Sequence, residues 1–364
     1  MKKRIDLLIN CLRGGGAEKV CVSIANGLAN RGYDVRLVIL DLTDEVYKDK
    51  INNKVKLVVL NKKHARNAGF QLLRYVKKEK PEKFLVFNFE LAVVLLLLRK
   101  IYFLKFKVIA RNINTLSLLN SQSGSNLKQY MVNLLTKFLY NKVDLVIAQS
   151  IKMSKDLIDN YKFESTKVKV VNNPVDIGIE NFAKSYSKSE YDNKYILFVG
   201  RLTKQKGLDY LIEAFNICLK KMPNLKLFII GKGDLKKELE NKVNNLGIGF
   251  NVKFIDFTND IADYYINASA TVLSSIYEGF PNVLIESITL GVPVVSFDCP
   301  SGPSEIIIDD VNGKLVKYLD TQELANAITY TVNKKWDMDN IKETAKRYRY
   351  EYILDQYDEV INLL

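Results

Sequence analysis

The chain has 364 residues, of which 48% are hydrophobic and 26% charged, with a formal net charge of +13. That length exceeds one ordinary core and suits two domains, and that composition excludes a disordered chain. The charge is unevenly spread: residues 1–185 hold 33 Lys+Arg against 16 Asp+Glu, and the remainder 21 against 25. A basic first half attracts phosphate-rich partners of any kind, nucleic acid or anionic lipid.

At the N-terminus, Asp6 and Asn10 interrupt the apolar stretch after Lys2, Lys3 and Arg4, so no signal peptide is expected and the protein is placed in the cytoplasm. The longest apolar run, Leu91 to Leu98, lies between Glu90 and Arg99 and falls well short of the roughly 20 residues a spanning helix needs. Cys11, Cys21, Cys218 and Cys299 lack metal-ligand spacing and are expected to be reduced structural thiols.

Lys3 to Cys11 reads as a strand, Arg13 to Gly16 as a glycine-rich turn, and Ala17 to Asn30 as a helix with Val20, Ile24 and Leu28 on one face. Val35 to Leu40 follows as a continuous apolar run of the kind found in doubly covered parallel strands. Further strands are expected at Val55–Leu60, Lys83–Phe87, Lys107–Ala110, Leu145–Ala148 and Val168–Val171. This alternation predicts an α/β, doubly wound sheet.

The polar stretch 181–193 reads as a linker after a first domain of residues 1–180. A second alternating series follows, with strands at Tyr195–Val199, Leu225–Ile230, Val252–Phe254, Ala270–Leu273 and Val292–Val295. Helices are expected at Leu208–Lys221, Leu235–Leu246, Ile261–Asn267 and Asn282–Leu290. Residues 194–340 form the second domain of this reading, and 341–364 the C-terminal helices.

The most specific segment runs from Ser274 to Val295, through Glu278-Gly279-Phe280-Pro281-Asn282-Val283-Leu284-Ile285-Glu286. Gly279 relaxes the backbone, Pro281 suits a first helical turn, and the helix from Asn282 aims unpaired N–H groups at an anion. A helical rise from Glu278 to Glu286 would be about 12 Å, too long for a hydrolase carboxylate pair, so the two acids must grip separate parts of one ligand. In Gly200-Arg201-Leu202-Thr203-Lys204-Gln205-Lys206-Gly207, two cations close the first strand of the second domain. Cations fixed beside a diphosphate stabilise charge on a leaving group, work a metal does elsewhere. Gly14, Gly15 and Gly16 allow close backbone approach at the first strand-to-helix turn but lack the spacing of a dinucleotide fingerprint. Asp41, at the end of the second strand, leaves a dehydrogenase open at this point.

These segments, along most of the chain from Gly14 onward, resemble the family 4 glycosyltransferases, whose signature is Glu-x7-Glu. The resemblance implies a GT-B-like architecture of two Rossmann-type domains facing a cleft, with the C-terminal helices packing back on the first. It implies a retaining enzyme of bacterial surface-polysaccharide or lipid-linked oligosaccharide assembly, using no metal or other cofactor. The donor would be a UDP-sugar, hexosyl or N-acetylhexosaminyl, and the acceptor a polyprenyl-diphosphate-linked saccharide. Glu278, Arg201 and Lys206 carry the catalytic role in this pattern. Glu278 would hold donor hydroxyls, Arg201 and Lys206 the diphosphate, and Glu286 the ribose. The donor would also meet Gly15, Gly16, Gly200 and the backbone from Gly279 to Leu284. The Gly231-Lys232-Gly233-Asp234 turn resembles the nucleotide-proximal turn of the family, and Cys299 to Ile307 resembles a subgroup with N-acetylhexosamine donors. Where relatives carry a histidine after the fourth strand, this chain offers Arg111 and Asn112 as donor-sugar contacts. Asp256 stands where a glycine is common, beside a base contact expected near Phe257. The sole histidine, His64, reads as a surface residue.

Basic Arg99, Lys100, Lys105 and Lys107 interleave with Ile101, Tyr102, Phe103, Leu104 and Phe106, and Leu116, Leu118 and Leu119 are expected to be exposed. With the basic first half, this predicts peripheral binding to the anionic inner face of the membrane, and no nucleic-acid partner. The alternatives are a UDP-sugar epimerase of the same architecture and a noncatalytic polyanion-binding protein.

Overall fold

The computed structural model describes residues 3–117, 137–186, 195–256, 258 and 260–364. Strands β1 (Arg4–Ile9), β2 (Asp34–Ile39), β3 (Lys56–Val59), β4 (Lys83–Val86), β5 (Lys107–Arg111), β6 (Leu145–Ala148) and β7 (Val168–Val170) form one sheet. Their order is β3-β2-β1-β4-β5-β6-β7, with parallel pairing throughout. A second sheet, also parallel, holds β8 (Tyr195–Val199), β9 (Lys226–Ile230), β10 (Val252–Ile255), β11 (Ala270–Leu273), β12 (Val294–Phe297) and β13 (Gly313–Val316). Its order is β10-β9-β8-β11-β12-β13. The α/β, two-sheet expectation therefore stands, each sheet being Rossmann-like.

Helices cover both faces of the first sheet, which explains its apolar strands: successive side chains point to opposite faces, and both are dry. On one face, Leu8, Val38, Phe84 and Val108 pack with Leu72, Leu95 and Leu157 from the helices Gly69–Glu79, Phe89–Ile101 and Ile151–Tyr161. The other face receives the helix Gly16–Asn30 through Val20, Ile24 and Leu28. Leu91–Leu98 lies within one of these helices, and among the described residues no helix is long and apolar enough to cross a membrane.

The chain divides into two compact units, one of residues 1–174 and 351–364 and the other of residues 175–350. These boundaries correct the sequence reading at two places. Residues 175–180 belong to the second unit, because Val175 and Ile179 are buried in its core and Asp176 caps the helix Ile177–Ser185 by accepting from Gly178 and Ile179 N–H. That helix also crosses the start of the expected linker, whose residues 187–193 lie outside the described ones. Of the C-terminal helices, Met338–Ala345 packs in the second unit through Ile341 and Ala345. Only residues 351–364, most of the helix Tyr350–Asn362, join the first.

The polar contacts that seat this last helix are specific. Arg31 bridges Glu351 and Asp355, each at 2.7 Å, Tyr33 donates to Asp358, and Lys83 Nζ donates to the Ile361 carbonyl at 3.0 Å. Beneath it lies Arg111, only 1% exposed, which donates from Nε to the Tyr357 hydroxyl at 2.7 Å and from Nη2 to Asn173 Oδ1 at 2.5 Å. Its guanidinium stacks over the Phe87 ring at 5.0 Å. Two hydrogen bonds and an aromatic face replace part of the water this buried cation gives up, and its Nη1 is left without a partner among the described residues. Leu116, expected on the surface, is 4% exposed and part of the core, while Leu118 and Leu119 lie outside the described residues. The substitution Tyr357→Phe strips the acceptor from a buried charged donor and should cost roughly 2–3 kcal/mol. Calorimetry should show the thermal midpoint fall by roughly 5–10 °C.

Candidate functional site

In the second sheet the strand order reverses between β8 and β11. At such a reversal the loops leaving the carboxyl ends of the two strands diverge and open a crevice where ligands bind in open α/β sheets. The loop after β8 is Gly200 to Gly207, and the loop after β11 begins at Ser274. Both segments singled out from the sequence therefore leave the same edge of the sheet.

Backbone contacts zip the two loops together. Ile276 N donates to the Gln205 carbonyl at 2.8 Å, the Gln205 side chain donates to the Tyr277 carbonyl at 3.0 Å, and Ser274 Oγ donates to the Lys206 carbonyl at 2.9 Å. Gly207 makes this approach possible: its φ is +57°, and a Cβ there would lie 2.2 Å from the Ser274 carbonyl oxygen. As a result Lys206 Nζ meets Glu278 Oε1 at 2.5 Å across a separation of 72 residues, and Ser275 Oγ donates to the same oxygen at 2.6 Å. The Lys206 and Glu278 side chains are 15% and 8% exposed, so water screens their attraction weakly. Both contacts fall on Oε1, and among the described residues no donor reaches Oε2.

Two further segments buttress this centre. A Cβ on Gly231 would lie 1.9 Å from the Gly200 carbonyl oxygen, and one on Gly233 2.3 Å from that of Leu202. The glycines of the 231–234 turn thus have a packing purpose, bringing that turn against the cationic loop, where Leu202 N donates to the Lys232 carbonyl at 2.9 Å. On the other side, Ser301 Oγ donates to the Gly279 carbonyl at 2.9 Å, and Gly302, at φ +96°, would drive a Cβ to 2.5 Å from Pro281 Cδ. The segment after Cys299 therefore braces the turn that carries Glu278. Burial pushes the Cys299 thiol up, so it stays protonated beside the charged pair.

Pro281 is the N-cap of the helix Asn282–Thr289, one position ahead of the first turn expected for it. Phe280 and Leu284 are core side chains, 5% and 0% exposed, and can offer a ligand only their backbone. Asn282 and Val283 are half-buried, and Gly279 is buried. Ser287 Oγ donates to Thr271 Oγ1 at 2.8 Å and ties this helix to β11. Glu286 is 6% exposed and accepts a 3.0 Å hydrogen bond from Tyr265 on the helix Ile261–Ile266. Desolvation first, and the nearby Glu286 second, hold the Tyr265 phenol well above its usual range, so it remains a donor. Both acids of the Glu-x7-Glu segment are thus buried and held by hydroxyls. Arg201 is exposed at the start of its loop. Asp256 forms a 2.9 Å ion pair with Lys236, and Phe257 lies outside the described residues.

In the first unit, Gly14 has φ +103° and Gly15 is the N-cap of its helix. Glu18 folds back so that Gly15 N donates to its carboxylate at 2.8 Å, and Gly16 is exposed in the first turn. Asp41, the acid a dehydrogenase would need, is engaged by Arg13 at 2.5 Å and by the Thr43 hydroxyl at 2.6 Å. The Thr43 hydroxyl, foremost, and Arg13 hold its carboxyl below the usual range. Arg111, expected as a sugar contact, is 1% exposed and donates to Tyr357 and Asn173, while its Nη1 has no hydrogen-bond partner among the described residues. Asn112 is equally buried, accepting from Tyr140 on its side chain and from Gln149 on its carbonyl at 2.6 Å. His64 is exposed. Among the described residues no group of three or more His, Cys, Asp and Glu could hold a metal ion. Ser275, Gln205 and Tyr265 carry no assigned role in the sequence reading; the first two lie within the motif segments, whereas Tyr265 gives no signal because its partner lies 21 residues away on another helix.

Two family models together span most of the chain. Residues 14–178 match the model described as Glycosyltransferase Family 4, and residues 180–348 the model described as Glycosyl transferases group 1. The amylovoran biosynthesis glycosyltransferase of Erwinia amylovora is 26% identical over 100% of both chains. A Campylobacter jejuni 4-alpha-N-acetylgalactosaminyltransferase, named for a diphospho-undecaprenol-linked saccharide, is 27% identical over 86% of each. In fold, the crystal structure of Anabaena HepE in complex with UDP-glucose superposes with a TM-score of 0.79 at 22% identity, covering 99% of this chain and 100% of that one.

Replacing Gly207 by Ala would force a Cβ against the Ser274 carbonyl in a left-handed backbone. The expected loss is roughly 1–3 kcal/mol, read from denaturant unfolding at unchanged m-value.

Proposed function

The chain belongs to glycosyltransferase family 4, and from that membership we propose that it moves a hexosyl or N-acetylhexosaminyl group from a UDP-sugar to a polyprenyl-diphosphate-linked saccharide in bacterial surface-glycan assembly. The observation that carries this reading is the Lys206–Glu278 pair at the strand-order reversal. A cation and an acid held at one point suit a donor with two faces: an anionic diphosphate for Lys206 and a sugar rich in hydroxyls for Glu278. In the free enzyme each satisfies the other. When the donor enters, Lys206 turns its charge to the diphosphate together with Arg201, and Glu278 accepts from sugar hydroxyls while Ser275 keeps its place. Glu286, steadied by Tyr265, takes the ribose hydroxyls, and the backbone from Gly279 to Leu284 lines the diphosphate at the helix start. Gly200 lets backbone approach the donor closely.

In the transfer, the bond from the anomeric carbon to the phosphate oxygen breaks while the acceptor hydroxyl oxygen bonds to that carbon from the same face. The acceptor's proton passes to the departing phosphate oxygen, and the configuration is retained. Arg201 and Lys206 stabilise the growing negative charge, so no metal is required. The UDP-glucose bound by HepE and the lipid-linked saccharide in the name of the C. jejuni relative support the choice of donor and acceptor classes. A lipid-linked acceptor and the basic first half support a peripheral enzyme on the anionic inner face of the membrane.

Three outcomes are expected. With a panel of UDP-sugars and a polyprenyl-diphosphate saccharide, product forms only when acceptor is present, and EDTA leaves the rate within about twofold. Lys206→Ala and Glu278→Gln each lower kcat by roughly 100-fold or more at unchanged fold, as judged by circular dichroism. Wild-type turnover in both would sink the assignment. Tyr265→Phe frees Glu286 from its anchor and weakens UDP binding roughly tenfold by calorimetry, with kcat at saturating donor nearly intact.

A further inference from the structure

The helix Phe89–Ile101 is apolar nearly all round, a pattern that belongs to a helix covered on every side. Its inner face is covered: Leu91, Leu95 and Leu98 are buried in the first unit's core. Its outer face is not, since Leu97 is 38% and Ile101 61% exposed. The chain then leaves the helix through Tyr102, 46% exposed, and Phe103, 89% exposed. Phe103 holds φ at +54°, a left-handed conformation that bulky residues rarely adopt, and it turns the ring away from the fold. Among the described residues no packing in the first unit accounts for an aromatic side chain in that position.

Cations surround this apolar tip. Lys77, from the neighbouring helix Gly69–Glu79, sits over the Tyr102 ring at 5.0 Å. It also lines, with Phe70, Leu73, Arg74 and Lys78, a hollow of about 440 Å³. On the other side Lys105 lines a second hollow of about 340 Å³ that leads to Phe106 and Arg99. Arg74, Lys77, Lys100 and Lys105 make no ion pair among the described residues, whereas Arg99 and Lys107 are both engaged by Asp144. Arg74, Lys77, Lys100 and Lys105 are therefore four exposed cations with no carboxylate against them among the described residues.

We propose that this tip, Leu97, Ile101, Tyr102 and Phe103 ringed by Arg74, Lys77, Lys100 and Lys105, is the surface by which the first unit docks on an anionic lipid bilayer. The inference rests on the membrane-surface reading above and assigns it to one place. Apolar and aromatic groups enter the boundary between headgroups and acyl chains, and the ammonium and guanidinium groups stay level with lipid phosphates. A protein partner would bring its own acids and a shaped hollow for Phe103. A bilayer needs only what is present, one protruding apolar point within a positive ring.

The test is co-sedimentation of the full chain with vesicles of phosphatidylcholine alone or mixed with phosphatidylglycerol. Wild type should bind the mixed vesicles in low salt, release them in high salt, and ignore pure phosphatidylcholine. The double variant Ile101→Asp/Phe103→Asp should bind at least tenfold more weakly at the same thermal midpoint. Phe250→Asp, an equally exposed aromatic position in the second unit, should bind like wild type. Binding by the double variant equal to wild type overturns the tip while leaving the membrane reading intact. No wild-type binding at low salt overturns both, and leaves sugar transfer unaffected. A wild-type dimer that the double variant abolishes assigns the tip to a second copy and overturns the bilayer. Independently, Phe103→Trp should shift its emission to the blue on mixed vesicles, and an unshifted emission also rejects insertion.

Discussion

The site in the second unit hangs on the contact between Lys206 and Glu278, because every neighbouring feature serves to hold those two side chains at one point. Two opposite charges so nearly buried forfeit much of their hydration, and their attraction alone seldom recovers it. The surrounding structure makes up the difference with hydrogen bonds. Ser275 adds a second donor to the same carboxylate oxygen, and three more contacts lock the loops that carry the pair. Gly207, Gly231, Gly233 and Gly302 matter for the same reason. Each permits a backbone approach that any side chain would block.

The two units use one architecture for different ends. In the second, the carboxyl edge of the sheet at the reversal carries the paired charges of Lys206 and Glu278. At the end of β5 in the first, the corresponding kind of residue, Arg111, is closed off beneath the C-terminal helix and bound by Tyr357 and Asn173. The same side-chain chemistry is thus open to solvent in one place and enclosed by the fold in the other. What separates them is exposure: Arg201 is open to solvent and Arg111 is not. The first unit's basic character is likewise divided. Arg99 and Lys107 pair with Asp144, whereas Arg74, Lys100 and Lys105 are exposed without an ion pair among the described residues.

Much of the fold is legible along the chain. Parallel strands covered on both faces are rich in apolar residues, and every strand from β1 to β12 is legible from such a stretch within a residue or two at its ends, although Asp6, Arg36, Lys169 and Lys253 interrupt β1, β2, β7 and β10. β13, Gly-Lys-Leu-Val, escapes because it is short and begins with glycine. The helix Ile177–Ser185 escapes because its polar residues blend into the linker that follows. Its membership of the second unit depends on where Val175 and Ile179 are buried, which no local pattern reveals.

For the candidate site, residue order alone was enough to recognise the family and to bring forward Glu278, Glu286, Arg201 and Lys206 as candidates, since spacing within a strand-to-helix turn follows from local backbone geometry. It also identified two parallel sheets from the period of the apolar residues. Tertiary structure alone decided that Lys206 touches Glu278, that Tyr265 anchors Glu286, and that Arg111 and Leu116 face inward. Each of those facts depends on which distant segments share a neighbourhood, and hence on which groups lose their water. Burial of that kind is a property of the packed chain and has no one-dimensional signature.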